Sequence, residues 1–153
     1  MIQIQRYREF LIELTAEVNK VSETPIDGVM IAVNEAHMVK KLRDAQGVWL
    51  CANYPDADLS GDYDSSEEKN KVLLFVLEKV PSGQHCDADE LLHYAKMQQL
   101  TEIVKEKLLQ SGFACLELGA KDGMRTEWEY DIFGGFNGLS IGLNLTNHDR
   151  AIY

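Results

Sequence analysis

The stretch Thr126-Glu127-Trp128-Glu129-Tyr130-Asp131-Ile132-Phe133-Gly134-Gly135-Phe136-Asn137-Gly138-Leu139-Ser140-Ile141-Gly142-Leu143-Asn144-Leu145-Thr146 decides the fold class. In its first half Glu127, Glu129 and Asp131 alternate with Trp128, Tyr130 and Ile132. In its second half Leu139, Ile141, Leu143 and Leu145 alternate with Ser140, Gly142, Asn144 and Thr146. A two-residue period is that of a strand with one buried and one exposed face. Gly134-Gly135 and Asn137-Gly138 between the halves supply residues that tolerate positive φ, so the two strands are expected to form a hairpin.

Working outward, Gly112 is placed where a left-handed helix cap belongs, and Phe113 to Leu118 reads as a strand that follows it. Before it, a long helix is expected from about Ala88 to Gln110, opened by Asp87 and Glu90 at capping-box spacing. Its core stripe is Leu91, Tyr94, Met97, Leu100, Val104 and Leu108. Lys71 to Val80 contains the continuous apolar run Val72-Leu73-Leu74-Phe75-Val76-Leu77, of strand length and suited to the middle of a sheet. Val48 to Tyr54 reads as another strand. Asn34 offers a cap to a short helix through Ala36, Val39 and Leu42, ended by Gly47. Val29 to Val33 suits either a short strand or a helical turn. The N-terminal helix is carried by Tyr7, Phe10, Leu11, Leu14, Val18 and Val21. The expected architecture is one α+β domain over residues 1–153, a mixed or antiparallel sheet of about five strands packed against two long helices.

The chain has 153 residues, 45% of them hydrophobic and 26% charged, which suits one domain with its own core. Fifteen Lys and Arg against 25 Asp and Glu give a formal charge of -10. That balance repels phosphate backbones and anionic lipid, so neither nucleic acid nor membrane is an expected partner. No segment reaches the roughly 20 apolar residues that cross a bilayer, and the N-terminus does not read as a signal peptide, so a cytoplasmic protein is expected. Three cysteines are an odd number and do not suggest a disulfide framework. Cys51 and Cys115 sit in apolar runs as small buried hydrophobes, whereas Cys86 stands at a helix start, where a thiolate is favoured.

Two constellations suggest chemistry. Asp56, Asp58, Ser60, Asp62, Asp64 and Glu67, with Gly61 between them, match the spacing of a calcium-binding EF-hand loop: oxygen donors at alternate positions, Gly for the sharp turn, Glu at the twelfth place. Strand-like runs flank it where helices belong, and the competing reading is a solvated acidic connection between strands. His85, Cys86 and His93 cluster at the start of the second long helix. They are too few for zinc, and Cys86 and His93 stand about 10 Å apart along a helix, too far for a thiol to be activated directly. His37 and His148 have no acid or thiol companion. The Gly134 to Gly138 stretch joins two strands, so it does not aim a helix N-terminus at a phosphate. Glu127, Glu129 and Asp131 on one sheet face form a candidate docking surface for a basic protein, and an open sheet edge could pair with a second copy of the chain.

Lys71-Val72-Leu73-Leu74-Phe75-Val76-Leu77-Glu78-Lys79-Val80, followed by an acidic helix start, and Phe133-Gly134-Gly135-Phe136-Asn137-Gly138-Leu139-Ser140 resemble small uncharacterised proteins in phage-like and prophage gene clusters of gut Bacteroidetes. The resemblance covers roughly the C-terminal two-thirds. It implies a non-catalytic tail-assembly role, of the tail-terminator type, exercised through surfaces and oligomeric rings in a phage-like particle. It carries over no catalytic residue and no cofactor. The alternatives are a calcium-responsive binding module on 56–67 and a small enzyme using His85, Cys86 or His93.

Overall fold

A computed structural model describes residues 1–81, 86–111 and 119–147. It contains three helices, α1 (Ile4–Val21), α2 (Glu35–Leu42) and α3 (Asp87–Ser111), and six strands. These are β1 (Gly28–Ala32), β2 (Val48–Asn53), β3 (Asp56–Asp62), β4 (Ser65–Lys79), β5 (Gly119–Ile132) and β6 (Phe136–Asn147). The fold is α+β with one mixed sheet of order β1-β2-β4-β6-β5, and β3 also pairs with β4. Among the described residues only β1 and β2 run parallel, joined by the short helix α2, and the other strand pairs are antiparallel. The expected hairpin is β5–β6, and Val29 to Val33 belongs mainly to a strand rather than a helical turn.

Two layers cover the two faces unequally. On one face α1 and α3 lie over Val48, Leu50, Ala52, Val72, Leu74, Val76, Leu139, Ile141, Leu143 and Leu145. Helix α1 contributes Tyr7, Phe10, Leu11, Leu14 and Val18, as its periodicity predicts, while Val21 is exposed at its end. On the other face Met38 and Leu42 of α2 pack on Ala32, Cys51, Leu77 and Phe136. The buried side of α2 is therefore Met38 and Leu42, and Val39 faces outward. This layering explains the continuous apolar run of β4. Leu77 is covered by α2 and Phe75 lies against Phe133, but Leu73 lies beyond the reach of α2 and is 37% exposed.

The largest departure from expectation is the acidic stretch after Pro55. It is no irregular connection but strand β3, paired with β4 from Asp56↔Lys71 to Asp62↔Ser65, with a turn at Tyr63-Asp64. Strand β4 is thus 15 residues long and its edge holds β2 and β3 end to end. Ala52 pairs with Leu74 and Asp56 with Lys71, so residues 53–55 face only 72 and 73. The extra residue makes a bulge where Pro55 has no N–H to give the ladder.

Helix α3 starts within a residue of the expected position, but its cap and its buried face are shifted. The Glu90 amide donates to the Cys86 carbonyl at 3.1 Å, so Cys86 takes the cap position and Asp87 lies inside the first turn. Its core contacts start at Met97 and continue through Leu100, Thr101, Val104 and Leu108. The first turns overhang the core: Leu91 is 72% and Leu92 70% exposed. The anticipated cap at Gly112, the strand Phe113 to Leu118, Cys115, His85 and His148 lie outside the described residues.

Candidate functional site

The overhanging start of α3 forms one wall of a cleft of about 520 Å³. The end of β4 (Glu78, Lys79, Val80, Pro81) forms its floor, and the β5–β6 turn, with Tyr130, Asp131, Gly135 and Asn137, closes the other side. The turn is held by left-handed backbone at Asp131 (φ 48°), Phe133 (φ 52°), Gly134 (φ 85°) and Gly135 (φ 104°). Positive φ is costly for Asp and Phe and free for Gly. It persists because the turn is fastened from both sides. Asn137 Oδ1 accepts from the Asp131 amide at 2.6 Å, the Val80 amide donates to the Gly135 carbonyl at 2.9 Å, and Lys79 Nζ donates to the Gly134 carbonyl. Lys79 Nζ also stands 5.2 Å from the centre of the Phe136 ring.

At the back of the cleft, Glu78 Oε1 lies 3.0 Å from His93 Nε2 and 2.7 Å from Lys96 Nζ. Both partners are on α3, one helical turn apart, so this carboxylate ties the helix to the end of β4. Tyr94 holds the helix to β5. Its hydroxyl donates to the Glu129 carbonyl at 2.7 Å, and its ring meets Trp128 edge-on at 5.8 Å and 76°. Burial raises the Tyr94 phenol above its usual value, and Glu90, Tyr130 and Glu129 push it the same way. Trp128 and Tyr130 are 59% and 69% exposed beside it.

A shallower groove of about 490 Å³ runs across the part of the sheet that α2 leaves open, past Asn53, Leu73, Gly142 and Asn144. Among the described residues its two cations are engaged: Lys71 Nζ is 3.0 Å from Asp58 Oδ2, and a guanidinium nitrogen of Arg125 is 2.8 Å from Glu127 Oε1.

The structure divides the sequence-derived candidates. Asp56, Asp58, Ser60 and Asp62 are spread along β3, six steps of about 3.3 Å. Asp64 is in the turn, and Glu67 is opposite Ser60 on β4. Lys69 and Lys71 face Asp58 and Asp56 across the ladder. Gly61 does adopt positive φ (98°), and a Cβ there would come within 2.2 Å of the Ser65 carbonyl oxygen, so this tight hairpin requires glycine without any cation. A hairpin extends its donors where an EF-hand loop wraps them round one point. Among the described residues no three His, Cys, Asp or Glu side chains gather to hold a metal.

Glu127 and Glu129 share a sheet face, opposite Ser140 and Gly138. Glu129 Oε1 accepts from Ser140 Oγ at 2.8 Å. Asp131 does not continue their stripe, because the register shifts between Glu129 and Ile132 and turns it into the cleft. His93 comes to Glu78, while Cys86 is exposed at the head of α3. Sequence reasoning missed Glu78, Tyr94, Lys96, Tyr130 and Asn137 as a group. The one local signal was a hydrophobic stripe that continued, through Leu91 and Tyr94, past the end of the core.

No family model matches this chain, and no curated protein matches it.

Proposed function

We propose that this chain is a non-catalytic assembly protein that takes a basic protein segment as an added strand along β5. The observation that supports it is the edge itself. Among the described residues β5, 14 residues long, pairs with β6 alone, and Trp128 and Tyr130 stand exposed on it. A long unpaired edge offers a row of backbone donors and acceptors to another chain, and exposed aromatic rings supply anchoring area. Glu127 and Glu129 on the strand, with the overall charge of -10, select a cationic partner and oppose a second copy of this acidic chain. Helix α3 braces the strand through Tyr94, so the edge is presented in one fixed position. The resemblance to tail-assembly proteins of phage-like elements belongs with this reading, in which the partner is a subunit of the particle. At the cleft, Glu78 is shared between His93 and Lys96, which suits a structural tie better than a catalytic base.

A display library of extended peptides tests the proposal. Selected sequences are expected to alternate Lys or Arg with apolar residues and to slow hydrogen exchange at β5 amides. Acidic winners, or protection confined to another surface, would overturn it. No helix is long and apolar enough to cross a membrane among the described residues.

A further inference from the structure

We infer that a strand added to β5 bonds through the backbone of Met124, Thr126 and Trp128, and that this fixes its two faces: apolar side chains beside Trp128 on the side of α3, cationic ones beside Glu127 and Glu129 on the reverse. The inference rests on the strand-addition reading and names what that edge selects.

In an antiparallel ladder a residue aims its N–H and C=O together at one neighbouring strand, and the next residue aims both at the other. Here the alternation can be followed across the sheet. The Lys79 amide donates to the Gly47 carbonyl at 3.0 Å, and the Leu73 amide to Asn53 Oδ1 at 2.8 Å, so odd-numbered residues of β4 aim at the β2 side. Even-numbered ones aim at β6, as the Val80 amide does just beyond the strand in donating to the Gly135 carbonyl at 2.9 Å. The β4–β6 register has no shift and sets Val72, Leu74 and Val76 opposite Leu143, Ile141 and Leu139. Odd-numbered residues of β6 are thus engaged with β4, and Gly138, Ser140 and Gly142 turn to β5. Their partners there are Glu129, Glu127 and Arg125, which spend their backbone groups on β6. Met124, Thr126 and Trp128 therefore present theirs to the open edge. Register shifts before Met124 and after Glu129 bound this run. Tyr94 braces the strand at the Glu129 carbonyl, which is not among the three residues that the edge offers.

A residue of an added strand lies on the same face as the β5 residue beside it. Beside Thr126 and Trp128 that is the α3 face, where the exposed Trp128 ring meets Tyr94 edge-on and favours an apolar neighbour. On the reverse face β5 carries Arg125, Glu127 and Glu129, and the β6 residues opposite them, Gly142, Ser140 and Gly138, have no charge. Arg125 pairs with Glu127 at 2.8 Å, so the stripe keeps one net negative charge, which a lysine or arginine beside it offsets.

The test is residue-resolved hydrogen exchange on the intact chain, alone and with an acetylated, amidated heptapeptide that alternates valine with lysine. In the free chain the amides of Arg125, Glu127 and Glu129 are expected to exchange slowly and those of Met124, Thr126 and Trp128 fast. The peptide should slow the second set by roughly tenfold or more. Its valine methyls should give nuclear Overhauser contacts to the Trp128 ring, and a peptide with glutamate for lysine should leave exchange unchanged. Thr126→Pro removes only an outward N–H, which an edge strand tolerates, so its Tm should stay within roughly 4 °C of the parent while peptide protection is lost. Glu127→Pro removes a bond to β6 and should lower Tm by roughly 10 °C. The reverse exchange pattern in the free chain, valine methyls on the Glu127 face, equal protection by the glutamate peptide, or equal Tm losses in the two proline variants would each overturn the inference and leave strand addition itself standing. A lysine peptide that protects no β5 amide would overturn the strand-addition reading, and this inference with it.

Discussion

Asn53 Oδ1 accepts the Leu73 amide at 2.8 Å while its Nδ2 donates to the Lys71 carbonyl at 3.0 Å, so one side chain fills the gap between β2 and β3. The bulge at 53–55 leaves β4 with a backbone donor and acceptor that the opposing strand cannot meet. The Asn53 carboxamide, itself shaped like a peptide group, meets both. Asn53→Ala is expected to cost about 1 kcal/mol, held down by solvent access to the freed groups. Urea denaturation measures it, and hydrogen exchange should show the β3–β4 hairpin opening before the rest of the sheet.

Asn70 presents the same chemistry without water. It is fully buried, accepts from the Ile2 amide at 3.2 Å and donates to the Leu145 carbonyl at 3.3 Å. Removing it takes the side-chain acceptor from the Ile2 amide and a donor from the Leu145 carbonyl in a site without water access, so Asn70→Ala should cost about 2–3 kcal/mol, clearly more than Asn53→Ala. Equal losses in parallel denaturation curves would contradict this account.

Gly138 and Gly142 occupy the same face of β6 yet should tolerate alanine very differently. A Cβ on Gly138 would sit 2.0 Å from the Val76 carbonyl oxygen, whereas one on Gly142 first meets Leu73 Cδ1, at an ordinary 3.8 Å. The backbone of a central strand cannot yield. Gly138→Ala is expected to lose about 3 kcal/mol, and Gly142→Ala to stay within roughly 0.5 kcal/mol of the parent. Thermal unfolding of the two variants is the comparison.

Burial pushes the Cys51 thiol from its ordinary 9.0 up to about 12, and the Tyr7 phenol is raised for the same reason. Desolvation disfavours the charged form, so the unfolded chain releases these protons first. Stability from Cys51 is therefore whole below pH 9 and is lost as pH rises towards 12. Denaturation midpoints measured upward from pH 8 should fall, and a flat profile would refute the burial argument. In a Cys115→Ala background a thiol reagent should label exposed Cys86 at once and Cys51 only on unfolding.

Trp128 separates stability from binding. Its edge-on contact with Tyr94 is half in water, so Trp128→Ala should cost only about 0.5–1 kcal/mol. The same substitution should abolish protection of β5 by selected peptides. A variant that melts like the parent and still binds would remove the aromatic anchor from the proposed function.

Short-range patterns in the chain determined the β5–β6 hairpin, the inward faces of α1 and the later turns of α3, and the placement of β2 and β4. Each rests on a period of two or on three- and four-residue steps, which side chains a few positions apart reveal. Strand β3 was hidden because its pairing with β4 is made by backbone groups, and side chains chosen for solubility do not report that bonding. The start of α3 was legible within a residue, but its overhang was hidden, since Leu91 and Tyr94 continue the core stripe in sequence while burial begins only at Met97. Only the tertiary structure joined Glu78 to His93 and Lys96, turned Asp131 away from Glu127 and Glu129, and left Asp89, Glu90 and Asp131 around one cleft. Those relationships depend on a register shift and on which strands lie beside which, and long-range geometry of that kind leaves no periodic trace along the chain.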